Sequence, residues 1–106
     1  MNTIKIKRKV RLSEQYLTTI KLLAKKYFDS ENVKIFGSRA DLNRKGGDID
    51  IYINTHKTEG ILAAKIAFLR DFEKIHGEQK IDLIVESGNS KLNKIYKIAK
   101  TEGISI

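Results

Sequence analysis

The chain has 106 residues, enough for one domain with a real core and too few for a separate substrate-binding lobe. It has no cysteine, which excludes disulfides and thiolate metal sites, and no apolar run near the length of a membrane span. A hydrophobic fraction of 41% argues against disorder, and a net charge of +8, from 21 basic and 13 acidic residues, suits a triphosphate, RNA or an acidic protein as partner without choosing among them.

Residues 1–12 form a basic segment, with Lys5, Lys7, Arg8, Lys9, Arg11 and no acid. Its partial alternation with Ile4, Ile6, Val10 and Leu12 predicts a short edge strand or an extended arm. No apolar stretch follows these charges, so no signal peptide is expected and the cytoplasm is favoured. Ser13 is a good N-cap and Glu14 suits a first helical turn. Tyr16, Ile20, Leu23 and Tyr27 then share a helical stripe, flanked by Leu17, Ala24 and Phe28, and the helix is expected to end near Asp29 and Ser30. Residues 33–36 and 49–53 read as strands, joined by a polar, glycine-bearing loop whose start, 38–42, suits a short helical turn. A helix over 59–75 follows, with Ile61, Ala64, Phe68, Phe72 and Ile75 on one stripe and Leu62, Ile66 and Leu69 beside it. Gly77 stops it. Residues 81–85 read as a third strand. Ser90 caps a last helix carrying Leu92, Ile95, Tyr96 and Ala99, which Gly103 ends. The order predicts an α/β or α+β domain over 1–106: a small mixed β-sheet with helices packed on one face.

Chemistry concentrates in residues 35–53, IFGSRADLNRKGGDIDIYI. Side chains alternate across a strand, so Asp48 and Asp50 point one way while Ile49, Ile51 and Ile53 point the other. The aspartates lie about 7 Å apart at Cα on the face away from the isoleucines. In residues 81–85 the same arithmetic leaves Asp82 opposite the row of Ile81, Leu83 and Val85. Aspartate is disfavoured in strands, and three of them among dense isoleucines point to a purpose. If the strands are neighbours, the carboxylates converge, and a bound divalent cation relieves their repulsion. Mg²⁺ takes carboxylate oxygens together with water and substrate phosphates, and two such ions can clamp a phosphoryl displacement. Gly37 and Ser38 follow an apolar strand where free backbone N–H groups favour anionic oxygens, and Arg39 can add a charge-assisted phosphate contact. Gly46 and Gly47 give the loop freedom to return to the strand. His56 and His76 lack zinc-ligand spacing.

Gly37-Ser38, a spacer, Asp48-Ile49-Asp50 and a later Asp82, within this order of elements, resemble a minimal nucleotidyltransferase of the DNA polymerase β-like superfamily. The resemblance implies a polymerase β palm-like fold. It implies that Asp48, Asp50 and Asp82 hold two Mg²⁺ ions, and that Gly37 and Ser38 bind the β- and γ-phosphates of ATP. The reaction implied moves a nucleoside monophosphate, AMP, onto a hydroxyl and releases pyrophosphate. Short stand-alone members of that family pair with a helical HEPN-family toxin as its antitoxin and place AMP on a toxin tyrosine. The spacer between Ser38 and Asp48 holds nine residues, one fewer than is common in the family, and Asp41-Leu42 stand where a basic residue and glycine are frequent. Two other classes compete: a binding module that neutralises its partner by surface burial alone, and an RNA-directed nucleotidyltransferase suggested by the +8 charge.

Overall fold

The structure, a computed structural model, describes residues 10, 12–37, 47–88 and 94–106. They run α1 (Glu14–Phe28), β1 (Asn32–Phe36), β2 (Ile49–Asn54), α2 (Ile61–His76), β3 (Ile81–Glu86), α3 (Lys94–Glu102) and β4 (Ile104–Ser105). The four strands make one mixed sheet in the order β3-β2-β1-β4, so the fold is α+β. β1 is antiparallel to β2 and to β4, whereas β2 and β3 are parallel. A parallel pair needs a crossover, and α2 supplies it. Most of the basic N-terminal segment, the expected turn over 38–42 and the Ser90 cap lie outside the described residues. No helix among the described residues is long and apolar enough to cross a membrane.

Local chemistry sets the helix ends. Ser13 Oγ accepts from the Tyr16 N–H at 3.1 Å, satisfying one of the amides a helix start leaves unpaired. Asp29 takes a left-handed backbone (φ 49°), and its N–H closes α1 on the Lys25 carbonyl. Gly77 (φ 85°) ends α2, a conformation that suits glycine.

The main core lies between the sheet and the α1/α2 layer. Ile20, Leu23, Ala24 and Phe28 of α1 meet Ala64, Phe68 and Phe72 of α2 over Ile35, Ile49, Ile51, Ile53, Leu83 and Val85. Tyr16 stands edge-on to Phe72 at 5.2 Å, and Phe28 packs on Phe68 at 6.3 Å between ring centroids. Polar ties close the layer. Tyr27 OH donates to Asp71, and Thr19 Oγ1 pairs with His76 Nε2 at 2.7 Å. The buried Thr55 donates to the Phe28 carbonyl at 2.6 Å, fixing the end of β2 to the end of α1. Ile75, placed on the buried stripe by its spacing, is 57% exposed.

Two expectations are corrected. The helices do not all share one face: α3 packs on the opposite side, where Ala99, Ile95 and Tyr96 cover Phe36, Tyr52 and Ile84. The cause lies in β2, which has isoleucines on one face and Tyr52, 1% exposed, on the other. An apolar ring there needs its own cover. The chain also does not stop at α3. It returns as β4 beside Lys34 and Ile35 of β1. Gly103 permits the turn, since a Cβ there would fall 2.4 Å from the Ala99 carbonyl oxygen and 2.9 Å from Lys34 Cβ.

Candidate active site

Strand register builds the site. Asp50 and Asp82 are direct partners across the parallel β2–β3 pair, so their side chains leave the same face of the sheet. The isoleucine row that anchors the strand, Ile49, Ile51 and Ile53, is fully buried on the other face, which leaves the aspartates no choice of side. Asp50 is half-buried and Asp82 is exposed. Asp48 precedes β2 by one residue, and the Ile49 N–H already bonds the Lys80 carbonyl at 3.1 Å. Extending the register by one pair sets Asp48 opposite Lys80, and the two side chains form an ion pair at 4.0 Å. Gln79 Nε2 donates to the Gly47 carbonyl at 2.5 Å and ties down the loop that delivers Asp48.

Gly37 completes the described part. Antiparallel pairing puts Phe36 opposite Asp50, so the chain leaves β1 against that carboxylate. A Cβ built on Gly37 would stand 2.1 Å from Asp50 Oδ2, and its φ of 72° also disfavours any side chain. The backbone conformation favours glycine, and a methyl here would displace the Asp50 carboxylate. Gly37→Ala is expected to push the Asp50 carboxylate aside and lower any activity that depends on it by at least about tenfold. The loss of stability should stay near the cost of a strained surface turn, about 1–3 kcal/mol. Parallel activity and melting measurements separate the two effects. Ser38 and Arg39 lie outside the described residues.

The carboxylates are brought together unequally. Asp50 and Asp82 stand in register, and Asp48 sits at the strand entrance with Lys80. Among the described residues, no three Asp, Glu, His or Cys side chains are close enough to form a ready metal cage. The donor set is nonetheless that of a hard cation: carboxylates alone, with neither histidine near them. His76 is engaged with Thr19, and His56 lies in the exposed loop after β2. Any ion held here would be Mg²⁺-like, bound by few protein oxygens, with water or phosphate completing its shell.

Further along the same face, α3 covers a polar network. Tyr52 OH donates to Glu86 Oε1 at 2.5 Å, Asn54 Nδ2 donates to Tyr52 OH at 3.1 Å, and Lys100 Nζ pairs with Glu86 at 3.2 Å. Burial, then the Glu86 hydrogen bond, pushes the Tyr52 phenol up to about 12. The Tyr52 hydrogen bond, followed by that of Lys100, outweighs burial and holds Glu86 below the ordinary carboxylate value. The pair works only with the phenol protonated and the carboxylate ionised. The Glu86 contribution is present above pH 4.5 and is lost as pH falls through its lowered folded value. The Tyr52 contribution is full below pH 10.0 and is lost as pH rises through about 12. Tyr52→Phe is therefore expected to cost about 1.5–3 kcal/mol at neutral pH, shrinking at both extremes. Denaturant midpoints across pH, wild type against variant, check it.

Neither Lys80, Gln79 nor this network is marked by a motif. Lys80 and Gln79 stand immediately before the third strand, and their roles emerge only from the β2–β3 register. No protein-family model matches this chain, and no curated protein is significantly similar to it.

Proposed function

We propose that this chain is a Mg²⁺-dependent nucleotidyltransferase that moves AMP from ATP to a hydroxyl of a partner protein, a tyrosine of a HEPN-family toxin, and so acts as its antitoxin. The observation that carries the reading is the Asp50–Asp82 register pair with the Gly37 backbone packed on the Asp50 carboxylate. Such a pair concentrates negative charge on one face of the sheet, next to a glycine whose missing side chain lets the backbone lie against the Asp50 carboxylate.

In this reading Asp48, Asp50 and Asp82 hold the metal, and Gly37 with Ser38 and Arg39 holds the phosphates. When bound, Mg²⁺ supplies the positive charge that offsets the triphosphate and the departing pyrophosphate. Asp82, at the exposed side of the pair, accepts the proton of the acceptor hydroxyl. The freed oxygen forms a bond to the α-phosphorus. The bond from that phosphorus to the β-phosphate oxygen breaks, and pyrophosphate leaves with the electron pair. Lys80, beside Asp48, keeps that carboxylate from facing its neighbours unbalanced. Calorimetric titration with Mg-ATP tests the reading at its first step. Binding in the micromolar to millimolar range is expected, and no heat at millimolar ligand would refute it.

One observation favours a second reading, neutralisation by burial alone. Leu62 and Ile66, one turn apart on α2, are 70% and 55% exposed. Paired apolar side chains on an open helix face suit a protein interface. The readings separate on Asp48→Asn: a pure binder still protects cells from its partner, whereas the transferase does not.

A further inference from the structure

We propose that the outer edge of β3 docks an extended segment of the acceptor protein as an added strand, with the hydroxyl residue next to a lysine or arginine. The proposal rests on the nucleotidyl-transfer reading and deepens it by specifying the form of the acceptor.

Among the described residues β3, six residues long, lies at the edge of the sheet. The carbonyls of Lys80 and Glu86 accept from the Ile49 and Thr55 amides at 3.1 and 2.9 Å, so these even positions face β2. With a period of two, the backbone groups of Ile81, Leu83 and Val85 point off the sheet. Tyr96 OH reaches the Val85 carbonyl at 3.4 Å. No hydrogen bond from the described residues meets the outward groups of Ile81 and Leu83. Such an edge is a template for β-augmentation, in which backbone bonds supply affinity and alternate side chains supply specificity.

Register then fixes what the guest strand presents. A guest residue opposite Asp82 projects onto the carboxylate face. Its neighbour, opposite Ile81, projects to the α2 side. There a cavity of about 510 Å³ is lined by Leu69, Glu73, Glu78, Gln79, Lys80 and Ile81. Its lining comes from the second half of α2, residues 78–80 and the first residue of β3. Leu69 and Ile81 offer an apolar floor. Glu73 and Glu78 form no ion pair among the described residues, while Lys80 turns to Asp48. An aliphatic stem ending in a cation fits that combination. One guest strand thus sets a hydroxyl beside Asp82 and a basic side chain in the cavity, one position apart.

The probes are short fluorescein-labelled peptides with a central tyrosine flanked by Lys, Leu or Glu. Their binding to the full chain is read by anisotropy, alongside Mg-ATP calorimetry. The Lys peptides are expected to bind at least about tenfold more tightly than the Glu peptides. In Glu73→Lys/Glu78→Lys, both exposed positions, that preference should reverse. Ile81→Pro, at the first strand position where proline is tolerated, should weaken every peptide. Equal binding of Lys and Glu peptides, or a preference unmoved by the charge swap, would overturn this proposal while normal Mg-ATP binding left the transferase reading standing. A dimer in sedimentation that Ile81→Pro dissociates would assign the edge to a second copy and also overturn it. Loss of Mg-ATP binding by the wild type would remove both.

Discussion

Asp50→Asn should leave the fold in place and reduce transfer of label from α-phosphate-labelled ATP to the partner by roughly 10³-fold. The substitution keeps the shape of a half-buried side chain and removes its charge. Metal-borne charge stabilisation is worth several kcal/mol, and each 1.36 kcal/mol is a factor of ten. Asp50 is the right target because it stands between both halves of the site, paired in register with Asp82 and packed against the Gly37 backbone. Asp48→Asn should act in the same direction but less, since Asp48 stands at the strand entrance with Lys80 already beside it. Circular dichroism and thermal melting establish that the fold survives. Undiminished labelling by the Asp50 variant would contradict the assignment.

The largest effect on stability is expected at Phe68. This ring is fully buried, packs on Phe28, and sits between α1 and the sheet. Phe68→Ala removes apolar surface and leaves a cavity, together about 3–5 kcal/mol. Domains of this size have roughly 5–15 kcal/mol in all, so the variant stands near the limit of folding. Urea denaturation should show a much lower midpoint with an unchanged slope. A shift under about 1 kcal/mol would mean that the α1–α2 layer is not packed as described.

The contrast between these two residues shows what the sequence discloses. Phe68 is legible from periodicity, because Ala64, Phe68 and Phe72 repeat at helical spacing and all three are buried. The carboxylate pattern is legible for the same reason in a strand: an isoleucine row of period two forces the aspartates to the other face. Periodicity alone does not make β2 and β3 neighbours; backbone pairing does. Tyr52 escapes the pattern. In IDIYIN it occupies the same parity as Asp50, so alternation assigns it to an open face, yet α3 buries it. A strand with cover on both faces gives up clean alternation partway along its length. β4 was hidden by brevity, since two residues after a helix-ending glycine carry no period at all. Lys80 and Gln79 were hidden because their partners, Asp48 and Gly47, are distant in sequence. Ile75 marks the opposite failure, an apolar residue in the right spacing that the helix end leaves exposed.

The acidic stretch of sheet also sits in a chain of net charge +8. A molecule of net positive charge draws polyanions toward itself.

Diffraction from crystals grown with Mn²⁺ and a non-hydrolysable ATP analogue addresses the central claim most directly. Anomalous peaks at the Asp50 and Asp82 carboxylates, with the phosphates against Gly37, are the predicted result. Metal and nucleotide bound elsewhere, with those two side chains unliganded, would contradict it.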